Sequence, residues 1–65
     1  MTEPDTDQSL SEDRRREIFR TLVETQDRAV PVAESRAEVA RQYGLSESQV
    51  RLIEREGLDQ TWPPL

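Results

Sequence analysis

The feature that most constrains this chain is a capping-box pattern that occurs three times, at Ser9-Leu10-Ser11-Glu12, Ser35-Arg36-Ala37-Glu38 and Ser46-Glu47-Ser48-Gln49. In such a box the serine hydroxyl accepts from an amide in the first helical turn, and the Glu or Gln side chain reaches back to an amide at the cap. Both contacts satisfy backbone donors that a helix start leaves without an intrahelical partner. Apolar residues follow each box at helical spacing. Ile18, Phe19, Leu22 and Val23 follow the first, and Val39, Ala40 and Tyr43 the second. Val50 and Ile53, with Leu58 at the far end, follow the third. Apolar residues recurring every three and four positions mark amphipathic helices rather than strands. The expected fold class is therefore all-α, a small three-helix domain with helices over about 9–28, 35–43 and 46–57, the first starting near Ser9 or Ser11, each end good to two to four residues.

The breaks between the stripes agree. Pro31 in Val30-Pro31-Val32 lacks an amide and pushes Val30 out of helical geometry. Gly44 suits the left-handed residue just past a helix end. Leu45 precedes Ser46 and can staple onto Val50. Ile18, Phe19, Leu22, Val39, Ala40, Tyr43, Leu45, Val50 and Ile53 are the expected core. Trp62-Pro63-Pro64 cannot continue as regular helix. Three short helices leave apolar surface uncovered, and a Trp buries roughly 150–250 Å². Trp62 is therefore expected to fold back on the helical body, beside Ile18, Leu22 or Leu58; the alternatives are a frayed chain end and an exposed Trp62-Pro63-Pro64-Leu65 that serves as a docking peptide.

With 65 residues, one domain is expected. The chain has no cysteine and no histidine, which excludes disulfides, thiolate or imidazole metal ligation, and imidazole acid–base chemistry. No nucleophile–base pair, Gly-rich phosphate loop or metal-ligand spacing is present. The expectation is a protein that is not an enzyme, with no cofactor, no metal and no small-molecule substrate. No apolar run approaches the roughly 20 residues that span a bilayer. The start MTEPDTDQ is acidic and polar, the opposite of a secretory signal. A cytoplasmic protein with no membrane partner is expected.

The net charge of −5 is unevenly placed. Glu3, Asp5, Asp7, Glu12 and Asp13 precede every basic residue; from Arg14 onward nine arginines match nine acids. Residues 1–8 read as a disordered acidic tail, since they hold Pro4, alternating acids and nothing to bury. Two roles suit such a tail: an inert solubilising segment, or a competitor with DNA for the Arg-rich surface. Residues 9–65 read as the folded domain.

Within that domain, Arg36 to Arg55 fits a helix-turn-helix, two short helices about a tight turn holding Gly44. Ala40 is small enough to let the helices approach. The third helix of such a motif fits the DNA major groove. The candidate DNA-binding residues are Ser46, Glu47, Ser48, Arg51, Leu52 and Arg55. Arg51 and Arg55 can reach guanine edges or phosphates. Ser46 and Ser48, with free amides at a helix start, suit a phosphate. Glu47 can accept from a cytosine amino group. The same helix carries Glu54 and Glu56, which repel phosphate. On the alternative reading its charges are a solvated face with internal ion pairs such as Glu47–Arg51.

The stretch from Glu38 to Leu58 resembles the fourth region of bacterial RNA polymerase sigma factors. Glu38-Val39-Ala40, Gly44-Leu45-Ser46, Val50-Arg51, Ile53-Glu54 and Gly57-Leu58 carry the resemblance. It implies a transcription-associated domain that binds double-stranded DNA at an upstream promoter element and docks on RNA polymerase. Where the family has basic residues this chain has Glu47 and Gln49, and it has Ser48 and Leu52 where the family has Glu and Gln. Of the contacting positions, only Arg51 carries over directly. The resemblance thus implies the family scaffold with much of the DNA-reading chemistry changed. It leaves open a protein-interaction module that binds RNA polymerase, a sigma factor or an anti-sigma factor without DNA contact.

Overall fold

The computed structural model describes residues 10–65. The expected acidic tail therefore lies outside the described residues. Three helices follow in order, α1 (Glu12–Asp27), α2 (Val32–Tyr43) and α3 (Glu47–Gln60), with no strand among the described residues. Each helix packs on both others. No helix among them is long and apolar enough to cross a membrane.

The first helix starts at one of its two candidate serines without closing a full box, and the second starts earlier than expected. α1 begins at Glu12, with Ser11, the later of the two candidate serines, as the N-cap, its hydroxyl accepting from the Arg14 amide at 3.1 Å. Position 14 is an arginine, so no acid returns the contact. α2 begins at Val32, not Ser35, with Pro31 as its N-cap. The Pro31 carbonyl accepts the first helical bond from the Ser35 amide at 2.9 Å. A proline fits here because the amide it lacks would have had no helical partner. Ser35 instead sits fully buried one turn inside the helix. Its hydroxyl donates to the Val32 carbonyl at 2.7 Å and accepts from Gln26 Nε2 of α1 at 3.2 Å. A short polar side chain at this crossing lets two helices meet while both its hydrogen-bonding roles are filled.

The third box forms in full. The Gln49 amide donates to Ser46 Oγ at 3.1 Å, and the Ser46 amide to Gln49 Oε1 at 2.9 Å. Gly44 takes a left-handed conformation (φ 70°, ψ 35°). That geometry lets the Leu45 amide donate to the Ala40 carbonyl at 2.8 Å and the Gly44 amide to the Arg41 carbonyl at 3.4 Å, the paired bonds that close a helix end. Residues 44–46 thus form the whole turn between α2 and α3.

α3 runs to Gln60, three residues past the expected end at 57. Gly57 does not weaken it to breaking, because the missing side chain serves packing. The Phe19 ring lies directly over the Gly57 backbone, where a Cβ would stand. The helix stops at Thr61, which is left-handed (φ 54°), with the Trp62 amide donating to the Gly57 carbonyl at 2.9 Å and Thr61 to Leu58 at 3.3 Å. This turn sends Trp62 back onto the body, where it is 3% exposed. Its ring meets Phe19 edge-on at 6.0 Å and 79°, and the Arg16 guanidinium covers it at 5.3 Å. The fold-back is as expected, but its seat is Phe19 and Arg16.

Ile18, Phe19, Leu22, Val39, Ala40, Val50, Ile53 and Trp62 form one core. Tyr43 and Leu45 belong to its edge, half-buried rather than enclosed. The Tyr43 hydroxyl accounts for its position: it lies 2.8 Å from Thr21 Oγ1 and donates to Glu17 at 3.4 Å, on the wet rim of α1. Leu58, expected on the inner stripe, is 57% exposed. Gly57 occupies the inward position at that turn, and Leu58 follows it about 100° further round the helix.

Candidate nucleic-acid interface

α3 is divided lengthwise. Val50, Ile53 and Gly57 face the core. Glu47, Ser48, Arg51, Leu52, Arg55 and Leu58 are exposed, together with Ser46 at the cap. At 3.6 residues per turn, positions 48, 51, 52 and 55 share one face. The residues singled out from the sequence therefore do come together on one surface, with the capped N-terminus of α3 at one end.

The acids of α3 are treated differently from its arginines. Glu54 and Glu56 flank the exposed face and turn toward the neighbouring helices. Glu54 Oε1 accepts from Arg36 Nε of α2 at 2.8 Å, and its other oxygen lies 3.5 Å from Gln26 Nε2 of α1. Glu56 is held by Arg15 of α1 through two parallel bonds, from Nε at 2.8 Å and Nη2 at 3.1 Å. The hydrogen bond to Glu56 raises the Arg15 pKa above its ordinary value, against a smaller opposing effect of burial. Paired bonds of this kind are the geometrically specific form of the arginine–carboxylate contact. Both ion pairs are more buried than the exposed pairs along α1 (Arg14–Glu17, Arg16–Glu12 and Arg20–Glu24).

The Glu47–Arg51 pair of the alternative reading does not form among the described residues. Both side chains stay in solvent, where a lone exposed pair gains little over hydration. Arg51 and Arg55 have no ion pair among the described residues. They border a shallow groove completed by Arg36, Glu54 and Leu58. Leu52, on the same exposed face, is 57% exposed.

Sequence reasoning placed Glu54 and Glu56 as repulsive charges on the interface. The structure corrects this. Their partners, Arg36 and Arg15, lie 18 and 41 residues away, so no local spacing signalled them. What remains outward is a face of two arginines, two leucines, a serine and two acids, Glu47 and Asp59. Among the described residues no cluster of three or more His, Cys, Asp or Glu side chains could hold a metal ion. No protein-family model, curated protein or solved structure matches this chain.

Proposed function

We propose that this chain is a helix-turn-helix module of the sigma-fourth-region type, a transcription-associated protein that presents α3 to the major groove of double-stranded DNA. The observation that carries this reading is the sorting of charge along α3. Glu54 and Glu56 are drawn sideways into ion pairs with Arg36 and Arg15, while Arg51 and Arg55 stand outward without an acid partner among the described residues. In this reading Arg51 and Arg55 donate to guanine edges or phosphates and Leu52 lies against a thymine methyl. Ser46, Glu47 and Ser48, at the start of α3, take the backbone and the first base.

A titration of labelled duplex, promoter-like and random, tests this at several salt concentrations. Binding through two to four phosphates gives a plot of log affinity against log salt with slope of about −2 to −4. No binding at high micromolar protein in low salt would refute it.

The exposure of Leu52 and Leu58 favours a second reading. Here the same face docks on RNA polymerase, a sigma factor or an anti-sigma factor and meets no DNA. Such a contact buries the two leucines, and Leu52→Ser would abolish it while leaving the salt slope of any DNA binding unchanged.

A further inference from the structure

Arg36 is a third arginine on the groove that Arg51 and Arg55 border, and it comes from α2. Its Nε donates to Glu54 Oε1 at 2.8 Å, while Nη1 and Nη2 make no hydrogen bond among the described residues. An arginine carries five N–H donors, so the bond to Glu54 leaves four at the outer end of the guanidinium. The Arg36 side chain is 30% exposed and that of Glu54 16%, so of the two it is the cation that meets solvent. The anchor behind it runs into the core. Glu54 Oε2 lies 3.5 Å from Gln26 Nε2 of α1, which also donates to the buried Ser35 hydroxyl of α2 at 3.2 Å. All three helices thus contribute to holding Arg36 in place.

Three guanidinium groups line this groove against a single carboxylate, which Arg36 and Gln26 already occupy. Glu47 and Asp59 stand one turn beyond Arg51 and Arg55 and do not line it, which confines the excess positive charge to the groove. Like charges gathered in this way repel until they share an anion. Paired donation from one guanidinium suits phosphate, whose oxygens accept two parallel bonds. We propose that the groove between α2 and α3 binds one phosphate group, with Nη1 and Nη2 of Arg36 as its fixed donors, Arg51 and Arg55 closing on it from α3, and Glu54 as the residue that positions Arg36. The source of the phosphate rests on the DNA reading: it is a backbone phosphate at the edge of the major groove that α3 enters. Such a contact sets the position of the duplex and reads no base.

The ion pair can be removed without changing net charge. If Arg36 serves only to neutralise Glu54, Arg36→Ala/Glu54→Ala binds phosphate as the parent does; if Arg36 is a ligand, affinity falls about five- to tenfold. Arg36→Gln/Glu54→Gln, which keeps a polar partner for Gln26, gives the same comparison should the alanine pair fail to fold. Inorganic phosphate, titrated at constant ionic strength into the full-length protein, should shift the side-chain Nε–H resonances of Arg36, Arg51 and Arg55 together and saturably, and leave those of Arg28 and Arg41 unmoved. Shifts of all the arginines alike, or parental phosphate affinity in the double variant, overturn the proposal. Labelled duplex tests the source. The double variant should bind promoter-like and random duplexes more weakly by the same factor, with the salt slope reduced by about 1. Duplex binding with an unchanged slope leaves the DNA reading standing and overturns the phosphate site. Phosphate bound at the three arginines with no duplex binding supports the site, assigns it to a free phosphate and refutes the DNA reading.

Discussion

Gly57→Ala is the substitution on which helix propensity and packing disagree in sign. Gly57 lies inside α3, and in an exposed helix interior an alanine there would stabilise by about 0.8–1 kcal/mol. Here the added methyl would overlap the Phe19 ring and approach its Cγ to 2.6 Å. Carbon atoms in contact prefer roughly 3.5–4.0 Å. The Phe19 ring has no room to retreat, being fully buried with Trp62 against it. Overpacking of this kind costs about 1–3 kcal/mol, and after the propensity gain it leaves a net loss of up to about 2 kcal/mol. A domain of this size holds roughly 3–10 kcal/mol in all, and each kcal/mol moves Tm by about 4–8 °C. Urea unfolding followed by circular dichroism and by Trp62 fluorescence measures the loss. In a Phe19→Leu background, where no ring covers position 57, the same substitution should become neutral or stabilising. A Gly57→Ala protein more stable than the parent by about 1 kcal/mol would show that packing does not govern this site.

Three further substitutions probe the scaffold. Trp62→Ala should destabilise by about 3–5 kcal/mol, and the parent's tryptophan emission should be blue-shifted and protected from quencher; free quenching in the parent would contradict the fold-back. Ser35→Ala strips Gln26 of one buried acceptor and should cost about 1 kcal/mol in chemical denaturation, whereas a simple cap loss at an exposed helix start would leave the Gln26 side-chain amide resonances unmoved. Ala40→Leu should force α2 from the neighbouring core at about 1–3 kcal/mol, and an unchanged Tm would place Ala40 outside the crossing.

Much of this scaffold was legible because its signals are local. Ser46 and Gln49 stand three residues apart and form the box their types specify; Gly44 supplies the left-handed turn that its lack of a Cβ permits. The misplaced start of α2 has one cause. Ser35 satisfies the same pattern as Ser46, but Pro31 can open a helix four residues earlier, and the pattern does not register that competition. Gly57 reads as a helix end in isolation and becomes a packing site only when Phe19, 38 positions away, lies over it. The same holds at the candidate interface. Which side chains α3 exposes follows from its period, so Arg51, Leu52 and Arg55 were found. Which of its acids are neutralised depends on Arg15 and Arg36 in other helices, and only the fold brings those together.

The central claim is that Arg51 and Arg55 on α3, rather than net charge, make the anion-binding face. Comparing Arg51→Ala and Arg55→Ala with Arg28→Ala tests it most directly. All three remove one exposed cation, but Arg28 caps the far end of α1. Duplex affinity at fixed low salt should fall by about 1–3 kcal/mol for each α3 substitution where the lost contact is to a base, and hardly at all for Arg28→Ala. Equal losses at all three positions, or no loss at Arg51 and Arg55, would contradict the assignment of α3 as the recognition helix.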